Sequence, residues 1–271
     1  MSNIKNNLGA DPKIKQWLDE GYARCNQQAF LKDDPIGIVH RFSGLQDIEI
    51  IGFWTSMLAW GQRKTIINSA EKLITLMDGA PHDFMLNHQE HDRARFMDFK
   101  HRTFQSLDTL YFLHFFQWYY QNHTSLESAF AQHISESDET IEKGLIGFHH
   151  LFFSLPDAPS RTRKHVATPE RHSTCKRLNM FLRWMVRHDE NGVDLGLWHS
   201  IKPAQLLIPL DVHVERVARR LGLIERPQSD WKTVLELTQN LRQYDALDPV
   251  KYDFALFGMG VLEKQNLGIM Q

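Results

Sequence analysis

With 271 residues, 42% apolar and 24% charged, the chain has material for one large globular domain or two modest ones. No apolar run is long enough to cross a bilayer, and MSNIKNNLGADPK at the start lacks the hydrophobic stretch of a secretion signal, so cytoplasmic residence is expected. Two cysteines, Cys25 and Cys175, exclude a four-thiolate zinc or iron–sulfur centre and a disulfide framework, and with a net charge of −2 bulk electrostatics do not announce a nucleic-acid binder, so the distribution of charge is what counts.

Helical periodicity runs through the chain, period-2 alternation is nearly absent, and there is no internal repeat. Asp11 to Leu31 reads as one or two helices with Ile14, Trp17, Leu18, Tyr22 and Phe30 on the apolar side, broken by Asp33-Asp34-Pro35. Asp47 is expected to cap an apolar helix through Ile50, Ile51, Trp54, Met57 and Leu58 that ends near Gly61. The clearest pattern follows, with Ile66, Ile67, Ala70, Leu73, Ile74 and Met77 at intervals of three and four, closed by Gly79 and Pro81. Asn87 to Lys100 is a short helix or a loop, and Thr109 to Tyr120, aromatic all round, is a buried helix. Helices are expected over 125–133 and 140–153, then an exposed connection over Leu155 to Arg171. Ser173 or Thr174 caps a helix that runs to about His188, and a loop over Asp189 to Pro203 precedes the helix at Asp211. Two more open at Asp230 and at Asp248-Pro249, giving about ten helices and an all-α fold.

PLDVHVERVARRLGL, Pro209 to Leu223, carries the most information. Asp211 stands at a helix start, Val214, Val217, Ala218 and Leu221 follow at helical spacing, and Gly222 ends the helix in a left-handed cap. The plain alternative is an N-capping aspartate on an ordinary amphipathic helix. The segment resembles the catalytic-aspartate helix of the helix-hairpin-helix-GPD superfamily of DNA glycosylases, matching at Leu210, Asp211, His213, Val214, Arg216, Val217, Arg220, Leu221, Gly222 and Leu223. The resemblance covers roughly Asp47 to Gly260. It is similar in spacing to the archaeal 8-oxoguanine DNA glycosylase branch, and KRLNMFLRWMVRHDENGVDLGLW also resembles an uncharacterised bacterial family of unknown function.

Cleaving a nucleobase from deoxyribose needs a negative charge beside C1′ and a nucleophile. A lysine at C1′ forms a Schiff base, from which the 3′ phosphate can be eliminated. By position the resemblance assigns that lysine to Lys176, which opens its helix 35 residues before Asp211. The chain departs from the superfamily here, because PERHSTC before Lys176 lacks the hairpin glycines and the interval is about double the common one. Eight basic residues between Arg161 and Arg187 face one acid, Glu170, so Arg163, Lys164, Arg171, Ser173 and Arg177 are candidate phosphate contacts. The alternative is a solvated basic face. Gln62 is placed where the superfamily inserts a wedge into DNA, with Arg63 and Lys64 beside it, or it is simply a polar helix end. Trp60, Phe99, Phe104 and Trp184 are candidate walls for an everted base, though aromatics at such spacing are more often core residues than ligand contacts.

Asp211, His213 and Glu215 do not make a metal site, because the middle side chain points away from the other two on a helix. The expectation is therefore one module over 1–271 with a two-lobed helical bundle, lobe one about 62–187 and lobe two about 1–61 plus 204–271. It would act as a monomer on double-stranded DNA with a damaged base, as a glycosylase and AP lyase needing no cofactor. The alternatives are a non-catalytic nucleic-acid binder on the same scaffold and a helical interaction protein.

Overall fold

A computed structural model of the chain describes residues 10–269, with side chains described through Val261. Among the described residues there are twelve α-helices and six short 3-10 segments, and the only β pairing is two isolated bridges. The helices are α1 Pro12–Cys25, α2 Ile36–Val39, α3 Leu45–Met57, α4 Arg63–Leu76, α5 Pro81–Asn87, α6 Ser106–Tyr120, α7 Glu127–Ala131, α8 Glu142–Phe152, α9 Lys176–Val186, α10 Val212–Arg220, α11 Trp231–Arg242 and α12 Asp253–Ile269. The all-α expectation holds. No described helix is long and apolar enough to cross a membrane.

Two helices organise the interior. In α3 every residue from Ile48 to Met57 is buried, and the helix packs on α2, α4, α5 and α9. Phe53 of α3 sits among Phe112, Phe116, Phe148, Phe152 and Phe181, with ring centroids between 5.4 and 5.8 Å apart, in the edge-on and tilted geometries that aromatic quadrupoles favour. At the other side of the molecule α12 packs on α1 and α10.

Several local expectations are corrected. Asp47 lies inside the first turn of α3 rather than at its cap, and its Oδ1 accepts instead from the backbone N–H of His82 at 2.8 Å, tying α5 to α3. Asn87 to Lys100 holds a 3-10 turn over Glu90–Phe96. The 155–171 connection is not wholly exposed: Thr162, His165, Val166, Thr168 and Pro169 are buried, and Thr162 donates to the buried Asp108 at 2.7 Å. Neither Ser173 nor Thr174 caps α9. Cys175 takes that position in the left-handed region (φ 49°), while Ser173 Oγ accepts from the Cys175 N–H at 3.3 Å. At Asp211, Asp230 and Gly222 the expected caps form, with Gly222 at φ 70°.

The connection between α9 and α10 is held by the end of α9 and by Glu49 of α3. Leu195 and Trp198 donate backbone hydrogen bonds to the last carbonyls of α9, Trp184 and Met185, each at 2.8 Å. The Trp198 indole reaches Glu49 Oε1 at 2.7 Å, where Ser125, Leu126 and Tyr120 also donate to the same buried carboxylate.

Candidate active site

The two residues singled out in sequence meet. Lys176 is the first residue of α9 and Asp211 caps α10, and Lys176 Nζ lies 3.3 Å from Asp211 Oδ2. One carboxylate oxygen, Oδ1, is occupied by the His213 and Val214 N–H groups at 2.8 and 3.0 Å, which fixes the side chain and leaves Oδ2 for the amine. The side chains are 32% and 10% exposed, so the pair is reachable without being solvated on all sides. Both helix starts add positive potential at this point, favouring any anion brought beside it.

The pair stands where two cavities meet. The first, about 630 Å³, runs between Trp60, Trp184 and Phe257 and contains Asp34, Arg63, Arg183 and Asp253. The second, about 490 Å³, is bordered by Lys164, Ser173, Thr174 and Arg177. Lys176, Asp211, His213 and Trp60 border both. Trp60 is the partition: its ring is stacked on His165 (5.8 Å between centroids) and lies under the Arg177 guanidinium at 4.8 Å. Gly61 makes the tight turn that follows it, at φ 102°, where a side chain would collide with Arg102.

The other expected site residues divide. Trp60 and Trp184 line the first cavity, but Phe99 and Phe104 are 1% and 0% exposed and border neither, so these two belong to the core. Gln62 is exposed at the N-cap of α4 on the rim of the first cavity, and Lys64 is exposed in the next turn without reaching it. Arg63 lies 3.9 Å from Asp34 and over the Phe257 ring, with its side chain 38% exposed. Lys164 and Arg171 are exposed, and Ser173 edges the second cavity. Arg163 lies against Phe153 at 4.7 Å. Arg177 donates to the Met57 and Lys164 carbonyls, and burial pushes its pKa down to about 10, so it braces Trp60 rather than reaching outward. Burial likewise pushes the Cys175 thiol up to about 12, which keeps the neighbour of Lys176 an unreactive thiol.

The basic cluster is thinner than its sequence count. Arg183 and Arg187 are buried, pairing with Asp194 and Asp253 and with Asp189, Asp194 and Asp248. Asp34 and Asp253 are acidic cavity residues to which sequence reasoning gave no chemical role. The one sequence signal for them is position, an acid beside a proline that breaks or opens a helix in Asp34-Pro35 and Pro249 to Asp253. No group of three or more His, Cys, Asp or Glu among the described residues could hold a metal ion.

An all-helical protein with a lysine–aspartate pair between an aromatic cavity and a basic-edged one is thus the class that fold and site define. Residues 34–262 match the model of a family described as "Protein of unknown function (DUF2400)", and the chain belongs to that family. No curated protein and no solved structure matches it.

Proposed function

We propose that the protein is a DNA glycosylase with AP-lyase activity, built on a two-lobed bundle of the helix-hairpin-helix-GPD kind, that excises a damaged purine such as 8-oxoguanine. The observation that carries this reading is the 3.3 Å approach of Lys176 Nζ to Asp211 Oδ2 at the junction of two cavities. A volume of about 630 Å³ is in the ordinary range for small-ligand sites, and its aromatic walls suit an everted base. The second cavity, with Lys164, Ser173 and the α9 start at its edge, suits the flanking phosphate backbone.

In this reading Asp211 takes a proton from the Lys176 ammonium, and the freed amine attacks C1′. The bond from C1′ to the base breaks, its electron pair leaving with the base. Asp211 then returns that proton to the ring oxygen and takes the second proton from the attached nitrogen as the sugar opens to the protonated Schiff base. After that proton has passed to solvent, transfer of the C2′ proton to solvent water breaks the C3′–O3′ bond, whose electron pair leaves with the 3′ phosphate. Once it has given up its proton, the Asp211 carboxylate faces the cationic iminium, where a charge held in place before reaction is worth most. The DNA partner and a monomeric working form are part of the same proposal.

Borohydride trapping on duplexes carrying 8-oxoguanine or an abasic site tests it. A covalent adduct is expected with the native chain and none with Lys176→Ala. Salt-dependent binding without any adduct would instead identify a non-catalytic nucleic-acid binder.

A further inference from the structure

A purine leaves a sugar far more readily when it is protonated as it departs, and Lys176 and Asp211, which border both cavities, are already engaged at C1′. A further acid, Asp253, borders the first cavity alone. It opens α12, lines the first cavity, and is 8% exposed at its side chain. Its Oδ2 accepts from Arg183, while Oδ1 has no hydrogen bond among the described residues.

The charges around it do not balance. Two guanidiniums, Arg183 and Arg187, face four carboxylates, Asp189, Asp194, Asp248 and Asp253. A low-dielectric cluster with an excess of negative charge retains a proton. Of the four, only Asp253 lines the cavity. The groups that face it are Arg183 and Lys176 from α9, Asp194 from the connection after α9, and Asp211 from the start of α10, with Asp34 and Arg63 also bordering the cavity. Burial, with Asp211 and Asp194 adding to it against Arg183 and Lys176, raises the Asp253 pKa to about 7.

We propose that Asp253 is the general acid of base release, giving its proton to the departing base from inside the cavity. The inference rests on the glycosylase reading. As C1′ and the base separate, the electron pair of the broken bond goes to a base nitrogen, that nitrogen takes the Asp253 proton, and the new carboxylate is held by Arg183. The timing follows from Lys176. Attack at C1′ makes the lysine nitrogen cationic while Asp211 still holds the transferred proton, so positive charge facing Asp253 rises as the base departs and favours loss of its proton.

The experiment measures base release and Schiff-base trapping separately, on a duplex with the damaged base and on one with a preformed abasic site, from about pH 5 to about pH 9. Native base release is expected to fall as pH rises through about 7, while trapping on the abasic duplex, which has no base to expel, keeps its yield. Asp253→Asn is expected to release base about 10²-fold more slowly and without that pH limb, yet to trap on the abasic duplex within a few-fold of the native yield, which also reports that it is folded. A native chain whose base release shows no such limb overturns the acid role, as does a variant that loses both steps equally. A native chain that traps on neither duplex overturns the glycosylase reading and this inference with it.

Discussion

The Glu49 carboxylate provides the sharpest test of how the site is held. It is 0% exposed and accepts four hydrogen bonds: Ser125 Oγ and Trp198 Nε1 on Oε1 at 2.6 and 2.7 Å, Tyr120 OH and Leu126 N on Oε2, both at 2.9 Å. Burial raises its pKa and the four donors counter it. Glu49→Gln keeps the volume but sets an NH₂ against two donors. A hydroxyl there can rotate and accept, whereas an N–H cannot, so either the Trp198 indole or the Leu126 amide loses its partner whichever way the amide is turned. One buried orphan donor costs about 1–3 kcal/mol. Glu49→Ala strands both N–H groups and opens a void, which makes about 3–5 kcal/mol. Urea unfolding should show the midpoint falling in that order at constant m. Trp198→Phe in the Glu49→Gln background should cost less than the two single changes together, since the stranded donor is removed. A Glu49→Gln protein within about 0.5 kcal/mol of the native chain would refute the reasoning. The consequence reaches the site because Trp198 anchors the connection that carries Asp194 to Arg183, which in turn holds α9 under Lys176.

Other perturbations separate charge from scaffold. Asp211→Asn preserves the caps on His213 and Val214 and should cost less than about 1 kcal/mol in stability while abolishing most Schiff-base formation; Asp211→Ala should lose about 1 kcal/mol as well, read by thermal melting beside a trapping assay. Lys164→Ala and Arg171→Ala, both exposed, should each weaken duplex binding and reduce the salt slope by about one, as read by fluorescence anisotropy, whereas Arg183→Met and Arg187→Met should act on stability instead. For Asp253, whose pKa is about 7 folded against 3.8 for the free side chain, the folded state keeps a proton that the unfolded chain has lost between those values. Its contribution to stability is therefore complete below about pH 4 and is lost as pH rises through about 7. Melting Asp253→Asn beside the native chain should show the variant gaining, over that window, on the order of a few kcal/mol.

What was legible in the sequence is what is local. The intervals in α4, the cap at Asp211 and the stop at Gly222 each depend on a few neighbouring residues, and all three formed. The basic run from Arg161 to Arg187 was misjudged because its sign is local but its partners are not. Arg183 and Arg187 find acids up to Asp253, far along the chain, and a residue count cannot anticipate that pairing. Asp47 failed as a cap for the same reason, drawn away by the N–H of His82. Phe99 and Phe104 could not be told from cavity walls by sequence, since an aromatic residue in the connection before α6 reads the same whether it meets a core or a void. Asp253 drew no notice because nothing at Pro249 tells that a side chain 42 residues beyond Asp211 borders the same cavity.

Everything proposed for function depends on the amine of Lys176 bonding to C1′. The direct measurement is to reduce the complex with borohydride on an abasic duplex, digest it, and find the modified residue by mass spectrometry. The account predicts a single deoxyribose-derived adduct on Lys176, absent in Asp211→Asn at equal protein and DNA concentrations. An adduct on an exposed lysine such as Lys164, or one that forms equally well without the Asp211 carboxylate, would contradict it.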